Sequence, residues 1–122
     1  MRRALGLVFV VGVAAPAVAQ NMPLTEFMPR AEKLQQKGMA ALFSSDLKPL
    51  FNEMTGAFKA YRDDLKSEVA AHHPSSCPPE GTRLSSDDVM KSFETIPVDQ
   101  RRSYTTKSAV ARLMIQRFPC KA

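Results

Sequence analysis

The chain has 122 residues, a formal net charge of +5 and two cysteines, a length that allows one small domain and not two. Its basic residues form no run and no stripe along the sequence, which argues against nucleic acid as a partner.

Residues 1–19 read as an address rather than as part of the fold. Arg2 and Arg3 precede an apolar run from Ala4 to Val13, and Ala17, Val18 and Ala19 supply an A-x-A cleavage pattern. The apolar run is shorter than the roughly 20 residues a membrane-spanning helix needs, and Pro16 follows it closely. Cleavage after Ala19 is the expectation, with no stable membrane insertion afterwards and a periplasmic or secreted location. No cysteine follows the site, which speaks against a lipid anchor. Removing 19 of the 122 residues leaves a domain of 103, residues 20–122, in which 15 basic side chains face 12 acidic ones for a net +3. A domain this small buries a modest core and benefits from a covalent staple.

Residues Gln20 to Leu24 are expected to be an untethered leader, with Thr25 as N-cap of a first helix and Glu26 in its first turn. Phe27, Ala31, Leu34 and Leu42 recur at helical spacing with Gly38 on the same face, and Pro29 fits the opening turn. Gly38 reads as a weak spot in this helix more than as a close-packing point. Ser44, Ser45 and Asp46 carry capping chemistry, and Pro49 suits the first turn of a second helix. There Leu47, Leu50, Phe51, Met54, Phe58, Tyr61, Leu65 and Val69 predict one buried stripe, with Glu53, Lys59, Asp63 and Lys66 outside.

His72 and His73 close that helix before Pro74. Pro74, Ser75, Ser76, Pro78, Pro79 and Gly81 then predict a structured loop. Ser85 with Asp88 has capping spacing for a short third helix carrying Val89, Met90 and Phe93, stopped by Pro97 near Ile96. Val98 to Tyr104 is a basic connector. Thr105 or Thr106 caps a last helix with Ala109, Val110, Leu113 and Met114 inward, ended by Phe118 and Pro119. No stretch alternates apolar and polar residues over a strand's length. The fold class is therefore all-α, a single-domain bundle of about four helices: two longer ones in residues 20–76 and a pair in residues 77–122.

Cys77 and Cys120 bracket that second pair. They are read as a structural disulfide, closing a loop whose entropy is worth up to about 4 kcal/mol in the chain-entropy account; reactive thiols or pairing between chains are the alternatives. A redox centre would need two cysteines close in sequence at a helix N-terminus, and a c-type haem would need a C-x-x-C-H run. Neither pattern is present. His72, His73 and Cys77 invite a metal reading, but neighbouring helical residues diverge by about 100° and a disulfide consumes the thiolate. The pairs Asp63 with Asp64 and Asp87 with Asp88 diverge in the same way, and no histidine, serine or cysteine is placed to complete a reaction with them. No cofactor, metal or catalytic residue is assigned, and the chain is not expected to be an enzyme. Residues 77–122 hold eight basic against five acidic side chains. Arg101, Arg102, Lys107, Arg112 and Arg117 form a candidate contact surface for an acidic protein of the cell envelope or an anionic envelope polymer.

The frame Cys77, Pro78, Pro79, Glu80, Gly81 and the closing Phe118, Pro119, Cys120 resembles the Rap/Tai family of small periplasmic immunity proteins. The resemblance covers Cys77 to Cys120. It implies a small exported helical protein that binds and inhibits a peptidoglycan-cleaving amidase delivered by a type VI secretion system, and it assigns no toxin-binding position in this chain. A second architecture of similar outline is that of the small periplasmic acid-stress chaperones, which are also helical, exported and stapled by one disulfide.

Overall fold

The longest run of helical spacing becomes the element on which the others pack. In the computed structural model, which describes residues 21–121, the helices are α1 (Leu24–Lys37), α2 (Leu47–Ala70), α3 (Ser86–Glu94) and α4 (Thr106–Arg117). Two 3-10 segments, Gly38–Phe43 and Val98–Ser103, join α1 to α2 and α3 to α4. The leader and its cleavage site lie outside the described residues. Among the described residues the only β-type pairing is an isolated bridge between Pro23 and Thr105, so the domain is all-α.

The α2–α4 contact is the most extensive in the fold. Leu50, Ala57 and Tyr61 turn inward from α2, and Ala109, Val110, Leu113 and Met114 from α4. Leu24, Phe27, Met28 and Ala31 of α1 join them, with Val89, Met90 and Phe93 of α3. Phe27 and Phe93 meet edge to face, centroids 6.0 Å apart, the geometry that ring quadrupoles favour.

Local capping rules hold where they were clearest. Ser85 and Asp88 form a reciprocal capping box at α3, and Thr105 forms one with Ser108 at α4. Pro49 sits in the first turn of α2, and Phe118 ends α4. The start of α1 differs from expectation. Its N-cap is Pro23, which makes no side-chain cap, so Thr25 lies inside the helix and Pro29 in its second turn. Gly38 adopts φ 56°, a conformation that costs glycine little, and there the α-helix ends. A Cβ at Gly38 would meet nothing, so it is neither a close-packing point nor a soft turn within a longer helix; it is the terminus. Leu42, on the following 3-10 segment, is consequently exposed and not in the core.

The segment before α1 is tethered, contrary to the reading of a free leader. Leu24 N–H donates to Tyr104 O and Thr106 N–H to Met22 O, both at 3.0 Å. Met22 N–H donates to Glu53 Oε2 at 2.9 Å, and Thr106 Oγ1 donates to the same oxygen. Glu53 is thus 4% exposed, not on the outer face of α2. Residues 50, 53, 57 and 61 follow steps of three and four, so Glu53 belongs to the same face as the buried apolar residues. The hydrogen bonds satisfy its carboxylate there.

At the other end of α2 the chain reverses through a Schellman motif: His73 N–H donates to Glu68 O at 2.8 Å and His72 N–H to Val69 O at 3.0 Å. His72 takes the left-handed position with φ 64°, usually given to glycine. Tyr61 Oη bonds the hydroxyls of Ser75 and Ser76, and Ser75 N–H donates to Glu68 Oε1, which fastens the loop back onto α2. Cys77 and Cys120 form a disulfide with Cα atoms 4.9 Å apart, beside a 2.7 Å bond from Cys77 N–H to Phe118 O. A disulfide of this kind indicates an oxidising compartment. No helix among the described residues is long and apolar enough to cross a membrane.

Candidate functional site: an apolar trench along α2

The stripe expected to be buried on α2 divides in two. Leu50 and Tyr61 reach the core, whereas Phe51 is 66% exposed and Val69 is also exposed. Met54, Phe58 and Leu65 are half-buried. Only one side of the stripe is covered by α1 and α4; the other faces outward. It floors a groove of about 570 Å³, walled on one side by Phe27, Ala31 and Leu34 and on the other by Leu84, Val89 and Met90. A second groove of about 330 Å³ continues past Leu65 to Pro78, Pro79 and Gly81. The two share Phe58, Arg62 and Leu84 and form one trench along the helix.

The near end of the trench runs into further apolar surface. Met39, Leu42 and Phe43 on the 3-10 segment are exposed, Phe43 to 91%, and Ala41 of the same segment lines the groove. A single exposed apolar side chain needs no explanation, but a concave apolar surface flanked by more of the same marks an interaction site. The signal for it was present in the sequence. Leu47, Phe51, Met54, Phe58 and Leu65 together with Leu50, Ala57 and Tyr61 make an apolar sector wider than the neighbouring helices can cover.

The trench also has a charged edge. Lys48, Lys59, Arg62 and Lys66 are exposed and share the outer flank of the stripe with Asn52 and Thr55. Spaced along the sequence these bases formed no visible stripe; wound on the helix they do. The acids of α2 are used elsewhere: Glu53 is buried, Asp64 pairs with Lys107 of α4 at 2.7 Å, and Glu68 accepts from Ser75. Asp63 lies behind the row and pairs with Lys59 at 3.2 Å. Asp87 at the start of α3 is the acidic group in the groove lining.

The basic residues singled out in the C-terminal half serve mainly the fold. Arg101, its side chain 15% exposed, donates to Ile96 O at 3.0 Å and approaches Glu32. Arg112 donates to Thr95 Oγ1 at 3.0 Å, joining α4 to the end of α3. Arg117 pairs with Asp88 at 3.6 Å. Arg102 is the one member of the set with no ion-pair or hydrogen-bonding side-chain partner among the described residues. The hollow between α3 and α4, about 310 Å³, is lined by the Arg117–Asp88 pair together with Lys91, Thr95 and Leu113.

The Ser85 N–H donating to the Asp88 carboxylate holds that group below the usual aspartate range, helped by the Ser85 hydroxyl and the charge of Arg117. His72 and His73 lie at the exposed end of α2, and the sulfur of Cys77 is committed to Cys120. Among the described residues no group of three or more His, Cys, Asp or Glu side chains is placed to hold a metal ion. No family model, curated protein or solved structure matched this chain.

Proposed function

We propose that this chain is a non-catalytic binding protein, exported by the leader at residues 1–19 to the periplasm or beyond, which holds another protein of the cell envelope in the trench along α2. The observation that carries the reading is the outward half of the α2 stripe, where Phe51 is exposed and Met54, Phe58 and Leu65 are only half-buried. Leaving such a surface uncovered forgoes about 25 cal/mol per Å², and a partner that covers it recovers that stabilisation. The polar groups that converge elsewhere are engaged in holding the chain together: Glu53 with Met22 and Thr106, and Tyr61 with Ser75 and Ser76. That engagement supports binding over catalysis.

The Cys77–Gly81 and Phe118–Cys120 frame, through its resemblance to the Rap/Tai proteins, points to a peptidoglycan-cleaving amidase as the partner, and to immunity by stoichiometric inhibition as the outcome. Co-expression with envelope-targeted amidases tests this. Protection of the cells and a stable one-to-one complex are expected; absence of both, with the protein present in the periplasm, removes the immunity reading.

A holdase chaperone is the second reading. The exposed Met39, Leu42 and Phe43 beside the groove favour it, since a broad apolar surface also suits unfolded clients. Suppression of client aggregation at about pH 2 to 3 and not at pH 7 would select this reading, because low pH neutralises carboxylates and raises the positive charge of the domain.

A further inference from the structure

We infer that the occupant of the trench is an amphipathic helix of the partner whose polar flank is acidic. The inference rests on the binding reading above and names what the trench recognises. Leu47 to Arg62 extends about 22 Å at 1.5 Å per residue, the length of a partner helix of about 15 residues. The floor presents apolar side chains at helical intervals, and the walls from α1 and α3 make it concave. This is the setting in which a helix seats its i, i+3, i+4 and i+7 anchors.

Charge selects the sign of the partner. The outer rim carries Lys48, Lys59, Arg62 and Lys66, and Lys59 alone of these has an ion-pair partner among the described residues. Arg62 reaches the lining of both grooves, so an acidic side chain seated over Phe58 lies beside it. Asp87 on the opposite wall sets the polarity across the groove: acidic residues of the partner toward α2, neutral or basic ones toward α3. Rim charges of this kind steer association and exclude wrong partners.

A second copy of the chain is a poorer occupant. Antiparallel two-fold pairing of α2 about Phe58 would bring Leu47 opposite Val69 and Phe51 opposite Leu65, but it would also set the basic row against its own copy. An anionic membrane matches the charge and not the shape, because Leu34, Leu84 and Met90 stand as walls around the floor.

The test uses the disulfide-bonded protein and two synthetic amphipathic peptides of about 15 residues with the same leucine face, one flanked by glutamate and one by lysine. Amide chemical shifts report where each binds. The expected result is binding of the glutamate peptide, with shifts confined to Leu47–Leu65 and Leu84–Met90, at least about tenfold tighter than the lysine peptide and weaker as salt is raised. Phe51→Asp abolishes it, and Arg62→Glu with Lys66→Glu reverses the preference; all three residues are exposed, so the fold survives the changes. Equal binding of the two peptides overturns the inference. So does failure of both, whether phosphatidylglycerol vesicles take up the protein instead or the protein alone is a dimer broken by Phe51→Asp. If Phe51→Asp still protects cells from an amidase, the trench is not the recognition surface and the binding function stands; if the wild-type chain neither protects nor forms a complex, the function falls whatever the peptides do.

Discussion

Glu53 and Thr106 are 53 residues apart in sequence and joined by a hydrogen bond in the interior, where the threonine hydroxyl donates to the carboxylate at 2.5 Å. The same oxygen receives Met22 N–H, so one side chain of α2 closes both the start of α4 and the entry to α1.

Replacing Glu53 with alanine leaves the buried Thr106 hydroxyl and the part-buried Met22 N–H without an acceptor, at a cost of about 3 kcal/mol. Glu53→Gln keeps a carbonyl oxygen and costs less, about 1 kcal/mol. A double-mutant cycle of Glu53→Gln with Thr106→Val, followed by urea unfolding, is expected to show a coupling of about 1 kcal/mol or more; strict additivity would mean that the pair contributes nothing to stability.

The lowered Asp88 carboxyl links the α3 capping box to pH. A group whose folded pKa lies below its unfolded value stabilises the protein above the unfolded value, near 4, and that contribution is lost as pH falls through the folded value. Asp88→Asn is therefore expected to melt below the wild type at neutral pH. The gap should close as pH falls through the lowered folded value, and thermal melts from neutral to acidic pH measure it.

Breaking the Cys77–Cys120 bond frees a closed loop spanning 43 positions, worth up to about 4 kcal/mol by loop entropy. The double variant Cys77→Ser, Cys120→Ser is expected to unfold at lower urea. Hydrogen exchange should rise first around residues 77–85 and the end of α4, while Glu53 still holds the start of α4.

His72 occupies a left-handed position that strains a side chain by about 1 kcal/mol. His72→Gly relieves the strain while keeping the Schellman bonds, and a rise in melting temperature of a few degrees is expected. His72→Val should lower it.

What could be read from sequence followed the range of the interactions. The cap at Ser85 is settled within three residues, so its spacing with Asp88 showed it directly, whereas Thr105 and Thr106 were both open at α4 until the box with Ser108 selected Thr105. The helices of the second half, with Val89, Phe93, Val110 and Leu113 inward, were equally local. The tether of Met22 to Glu53 depends on a partner 31 residues away, and nothing near Met22 announces it. On α2 the apolar pattern was legible, but which edge of it lies buried depends on where α1 and α4 pack. Ala57, small enough for close approach of a neighbouring helix, marks the covered side in retrospect. Phe51 and Phe58 marked the trench only once the neighbours were in place. The basic rim was hidden because Lys48, Lys59, Arg62 and Lys66 are dispersed in sequence and align only when wound at 3.6 residues per turn. Conversely, Arg101, Arg112 and Arg117 looked available because sequence does not show the carbonyls, hydroxyl and carboxylates they reach.

The central claim is that the uncovered face of α2 holds a partner protein. Placing a photo-reactive benzoylphenylalanine at position 51, with position 102 as control, and irradiating cells tests it most directly. A single saturable one-to-one adduct is predicted from position 51 and not from 102, its attachment site mapping to an acid-flanked amphipathic helix of an envelope protein. Adducts from position 102 alone, or none from either position with the protein folded and present, would contradict it.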